Sequence, residues 1–166
     1  MKNIGIFDCT LSEGLYENNF LFGSNVISSI INELSDSGLD IVEIGRVSEK
    51  FKGDDYTYIT KEHFINNILN KNRIYSVYLS ESVKDISIIK LYKNIVDIIR
   101  YSVYWDKNKK DKFIENIKYI ADNKYKVFLQ IENIEDISNE ELHSLLSEID
   151  EKIYILGINS KNISKE

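Results

Sequence analysis

Ile4-Gly5-Ile6-Phe7-Asp8-Cys9-Thr10-Leu11-Ser12-Glu13-Gly14 runs as an apolar strand straight into a tight polar turn. In parallel α/β folds, functional groups gather where strands end at their carboxyl side. Asp8 and Glu13 are therefore two carboxylates delivered to that side. Many strands end in an acidic residue, so the rest of the chain has to say which sheet this strand belongs to.

The same alternation repeats down the chain. Strand-length apolar runs are expected at 3–8, 40–45, 74–79, 96–103, 125–131 and 152–158. Stretches of helical period lie between them. A helix capped by Ser24 carries Val26, Ile27, Ile30, Ile31 and Leu34 and stops at Gly38. A helix capped by Thr60 buries Phe64, Ile65, Ile68 and Leu69, and a short one covers Lys84 to Tyr92. Phe113, Ile114, Ile117, Ile120 and Ala121 share one face of the next. The last opens on a capping box, Ser138-Asn139-Glu140-Glu141, and buries Leu142, Leu145, Leu146 and Ile149. Six strands alternating with five helices predict an α/β fold with a parallel sheet. Patterning leaves two arrangements open, a (β/α) barrel and a doubly wound open sheet.

The 166 residues suit one domain, 1–166, with no internal linker or low-complexity segment. Net charge is −6 with acids and bases interspersed, which argues against nucleic acid as the partner. Lys107-Asn108-Lys109-Lys110 is the strongest basic run and reads as a solvated helix start. Cys9 is the one cysteine, so no disulfide forms within the chain, which fits a reducing cytoplasm. No histidine lies near it in sequence to make it a nucleophile. No segment reads as a signal peptide or membrane span.

Three polar residues interrupt otherwise apolar strands: Glu43, Arg100 and Gln130. A buried charge is costly unless paired. Glu43 and Arg100 are expected to satisfy each other, to line a polar pocket at the carboxyl ends of the strands, or both. Arg46, Tyr78, Ser80 and Glu132 also stand at strand ends.

The opening stretch resembles the Asp-x-Thr-Leu-Arg-Asp-Gly motif of the divalent-metal-dependent aldolase, acyl-CoA lyase and isopropylmalate/homocitrate synthase superfamily. Gly14-Leu15-Tyr16-Glu17-Asn18-Asn19-Phe20-Leu21-Phe22-Gly23 is similar to its 4-hydroxy-2-oxovalerate aldolase-like branch, and Phe51-Lys52-Gly53 recurs there. Ile41-Val42-Glu43-Ile44-Gly45-Arg46 resembles the second-strand segment, Ile98-Ile99-Arg100 the fourth and Tyr125-Lys126-Val127-Phe128-Leu129-Gln130 the fifth. The resemblance implies a TIM-type (β/α) barrel. It also implies carbon–carbon bond chemistry beside the carbonyl of a 2-oxo acid, with a metal polarising that carbonyl and a cation supporting the oxyanion.

Carried over residue by residue, Ser12 stands where the family has its catalytic Arg, and Glu13 where it has its metal-binding Asp. Glu13 is thus the expected ligand of Mg²⁺ or Mn²⁺. Glu43 and Arg100 line the pocket, with Gln130 a polar contact to substrate. The family's His-x-His metal pair is absent, since His63 and His143 each fall within an expected helix. The sixth-strand Val-Asp-Ser segment stands as Ile158-Asn159-Ser160. A complete barrel needs about 200 to 250 residues, so the expected fold is a partial barrel lacking the last two βα units. Its open first and last strands predict a homodimer. The activity expected from the resemblance is an impaired metal-dependent lyase; the alternative is a non-catalytic interaction or ligand-sensing barrel.

Overall fold

Strands form where apolar, largely β-branched runs reach strand length, a composition that suits a parallel sheet. In the computed structural model, which describes residues 5–14, 23–47, 69–70 and 72–159, these are β1 (Phe7–Asp8), β2 (Ile41–Arg46), β3 (Ile74–Ser80), β4 (Ile98–Val103), β5 (Lys126–Ile131) and β6 (Ile153–Ile158). Every residue of β2 and β4 is buried. The six strands are parallel and hydrogen-bonded in the order β1-β2-β3-β4-β5-β6. A doubly wound sheet reverses its strand order at a switch point. None occurs here, so the topology is that of a partial (β/α) barrel.

Among the described residues the α-helices are α1 (Thr10–Gly14), α2 (Ser24–Asp36), α3 (Lys110–Asp122) and α4 (Asn139–Ile149). Ser24 is the first helical residue of α2 and Gly23, in extended conformation, is its N-cap. The buried line of α2 is Ile27, Ile31 and Ser35, spaced by four, and the expected Val26 is 48% exposed. Ser35 is tolerated inside because its hydroxyl meets the Tyr75 hydroxyl at 3.0 Å. Between β3 and β4 the expected α-helix is instead a 3₁₀ helix, Ile86–Tyr92. Its buried residues are Ile89 and Tyr92. They are three apart, and three residues per turn place them on one side.

The chain forms two compact units. The first comprises 1–78 and 87–98. Its core joins Leu11, Ile31, Ile44, Val77 and Ile89, all at most 1% exposed. The second comprises 79–86 and 99–166, centred on Ile117 and Ile120 of α3 and Val127, Leu129 and Ile131 of β5. There α4 opens on the expected capping box: Glu141 N–H donates to Ser138 Oγ at 3.2 Å, and Ser138 N–H to Glu141 Oε2 at 3.1 Å. His143 is exposed on α4. In β6, Gly157 lies against Phe128, whose Cε2 would be 2.6 Å from a Cβ built there.

The helix expected after Thr60, with Phe64, Ile65, Ile68 and His63, falls outside the described residues, as do Phe51-Lys52-Gly53, Leu15 to Phe22 and the tail from Ser160. Among the described residues, no helix is long and apolar enough to cross a membrane.

Candidate functional site

The turn after β1 is built by its own side chains. Asp8 accepts the Thr10 N–H at 3.0 Å and the Thr10 hydroxyl at 2.9 Å. This is the local capping bond that aspartate makes two residues ahead of itself, and it starts α1. Glu13 N–H then donates to Cys9 O at 2.9 Å. A five-residue helix cannot sustain itself. Leu11 and Ser12, both 0% exposed, fasten it to the first unit.

Ser12 is the hub of the site. Its hydroxyl donates to Glu43 Oε1 and lies 3.0 Å from Cys9 O. Glu43, also 0% exposed, accepts from Ser76 Oγ at 3.2 Å. On the other side, Arg46 Nε donates to Ser12 O at 2.7 Å. The Arg46 guanidinium lies over the Tyr78 ring at 3.9 Å and forms an ion pair with Glu13 at 3.4 Å.

Strand irregularity puts Arg46 there. In the pairing of β2 with β3, Glu43 stands opposite Ser76 and Arg46 opposite Tyr78, so β2 advances three residues while β3 advances two. Side chains alternate along a regular strand with period two, which would send Glu43 and Arg46 to opposite faces. The extra residue restores the parity, and Arg46 follows Glu43 onto one face. Gly45 has φ +147°, which a residue with a Cβ adopts poorly, so glycine permits the bulge.

A second polar group lies at the carboxyl ends of β4, β5 and β6. Arg100, 3% exposed, donates through Nη1 to Gln130 Oε1 at 2.7 Å. Gln130 Nε2 donates to Glu132 Oε1 at 2.9 Å, the oxygen that also takes the Ser102 hydroxyl. Asn159 Nδ2 donates to Glu132 Oε2 at 3.1 Å. Asn133, 5% exposed, ties the loops after β4 and β5 by bonding both backbone groups of Trp105 and Asp136 Oδ2.

Beneath this group, burial raises the Tyr101 hydroxyl from 10.0 to about 12, the Asn116 hydrogen bond opposes it, and the Glu81 charge adds to it. Burial also raises Tyr125 to about 12. Both phenols are held neutral in the folded chain. Their contribution to stability is complete below pH 10 and is lost as pH rises through about 12. A spectrophotometric titration should therefore show late-ionising tyrosines among the eleven, and Tyr101→Phe should remove one of them. Ionisation of all tyrosines in a single step near pH 10 would contradict this.

No family model matches the chain, and no curated protein matches it. Among solved structures it is similar to the "N-terminal domain of a putative aldolase from Bacteroides vulgatus", at 20% identity and a TM-score of 0.66. The match covers 95% of this chain. The chain has an aldolase-like barrel fold. It spans 64% of the length of the Bacteroides vulgatus domain.

On that fold the expected site residues divide between the two units. Ser12, Glu13 and Glu43 come together in the first, where they are joined by Arg46, Ser76 and Tyr78. Arg100 and Gln130 come together in the second, joined by Ser102, Glu132 and Asn159. Asn159 serves Glu132 as a donor.

No group of three or more histidine, cysteine or acidic residues assembles among the described residues. Glu13 faces a guanidinium, and Glu43 accepts from two hydroxyls. A Mg²⁺ or Mn²⁺ ion at Glu13 would complete its shell with water, substrate oxygens or residues outside those described.

Proposed function

We propose that the chain is a carbon–carbon lyase of the aldolase class acting on a 2-oxo acid. The observation that carries this reading is the pair of charges fixed on Ser12: Glu43 bonds its side chain and Arg46 its carbonyl, at the carboxyl ends of β1 and β2. Cleavage beside a carbonyl leaves an enolate, and a cation already in place where that charge develops lowers the barrier. Ser12 cannot be that cation. Arg46 can, since three contacts hold it and its charge is permanent. Glu43 is a positioning residue, buried beneath the turn and touching no solvent.

A second reading, a barrel that binds a 2-oxo acid without turning it over, is favoured by one observation. The Ser12 hydroxyl is spent on Glu43 and Cys9 O, so the turn itself presents no electrophile. Pyruvate released from a 4-hydroxy-2-oxo acid, followed by a coupled dehydrogenase assay with and without Mn²⁺, separates the two. The lyase reading expects release above the uncatalysed rate. Binding without release would favour the second reading.

A further inference from the structure

We propose that a cavity at the amino ends of β3 and β4 binds a small zwitterion, an α-amino acid with an apolar side chain. The cavity has a volume of about 280 Å³, near the lower end of small-molecule pockets, about 300–1,000 Å³. Among its described lining residues, Arg73 directly precedes β3 and Asp97 directly precedes β4. All of that lining belongs to the first unit. The chemistry of such barrels gathers at the opposite, carboxyl ends of the strands, where Ser12 and Arg46 stand. The cavity is thus separate from the candidate site, and the inference does not rest on the lyase reading.

Tyr75, Ile95 and Val96 are buried and give the cavity an apolar wall. Half-buried Arg73 and exposed Asp97 bring opposite charges to it. Each is fixed by backbone and keeps capacity to spare. Arg73 Nη1 donates to Leu39 O at 3.1 Å, and a guanidinium has five donors. Asp97 Oδ2 accepts the Tyr75 N–H at 3.2 Å, and Asp97 N–H donates to Tyr75 O at 3.0 Å. Asp97 Oδ1 takes no hydrogen bond from the described residues, and neither charge forms an ion pair among them. Opposite charges that share a cavity without pairing are matched by a ligand that carries both. Its carboxylate takes the planar fork of Arg73, and its ammonium takes Asp97. A plain carboxylate would set its charge near Asp97, and a plain amine near Arg73, so each loses one attraction and gains one repulsion. The Tyr75 hydroxyl is already engaged by Ser35 Oγ at 3.0 Å and the Asn70 N–H at 2.9 Å. The ring therefore serves as wall, and an apolar side chain suits it.

The test is calorimetric titration of the full chain with leucine and two of its analogues. One is 4-methylpentanoate, which lacks the ammonium, and the other is 3-methylbutylamine, which lacks the carboxylate. The native chain should bind leucine at millimolar concentration or below. Each analogue should bind about tenfold more weakly or worse, the scale of one lost charge-assisted bond. Arg73→Gln and Asp97→Asn should each weaken leucine by the same order. Asp97→Asn keeps an oxygen for the Tyr75 N–H, so it removes the charge and spares the backbone contact. The comparison of analogues uses the native chain alone, so it decides the matter even if a variant fails to fold. Absence of leucine binding by the native chain would overturn the inference. So would an analogue that binds as tightly as leucine, or leucine binding that both folded variants retain in full.

Discussion

Leu11→Ala should lower the stability of the chain by about 2–5 kcal/mol, the cost of emptying a fully buried leucine site. Leu11 is 0% exposed at the second position of α1. The helix is too short to persist by its own hydrogen bonds, so its place depends on Asp8 at its start, Leu11 beneath it, and the bonds that Ser12 makes to Glu43 and Arg46. For a chain of this length each kcal/mol moves the melting temperature by about 2–4 °C, so a fall near 10 °C is expected by calorimetry. Val26→Ala is the control: Val26 is 48% exposed, and an exposed site of this kind usually changes stability by less than about 0.5 kcal/mol. A Leu11→Ala protein that melts with the native chain would mean the turn is not packed as described, and the site geometry built on it would fall with it.

Much of this arrangement is legible in the sequence. Six strands and the capping box at Ser138 follow from period, length and turn chemistry, because each depends on neighbours close in sequence. The barrel topology follows from the resemblance of the motifs and not from the pattern, since hydrophobic runs encode burial and not strand order. The stretch from Ile86 to Tyr92 reads as α-helical but is a 3₁₀ helix, because a short apolar stretch satisfies both periods and only the buried pair, Ile89 and Tyr92, decides between them. The α2 face shifted for a related reason: Ser35 looks like a solvent residue until Tyr75 supplies its partner.

The candidate site was half legible. Ser12, Glu13 and Glu43 stand out as a polar turn and as a charge inside an apolar strand. In the sequence Arg46 is only a residue at a strand end. Counting by twos from Glu43 places it on the wrong face, and the bulge reverses that. The available signal was Gly45, a glycine within a strand pattern, which often marks a bulge. Tyr78, the ring beneath the guanidinium, is tied to Arg46 by the register of β2 with β3, and register across strands is set by tertiary pairing.

The largest expected effect on activity belongs to Arg46. If its charge stabilises an enolate, the chain should catalyse exchange of the pyruvate methyl protons with solvent, a step that needs no second substrate. Neutralising a positioned oxyanion donor typically costs about 10²–10³ in rate. Arg46→Gln should lose that much, whereas Glu13→Gln, which leaves the cation in place, should retain exchange. The variant has to be shown folded by its circular dichroism, since Arg46 also holds the Ser12 carbonyl. The measurement is a proton NMR time course of pyruvate in D₂O, with and without Mn²⁺, for the native chain and both variants. Exchange by the native chain that collapses in Arg46→Gln is the predicted result. No exchange by the native chain under either condition, or exchange untouched by Arg46→Gln, would contradict a lyase centred on this arginine.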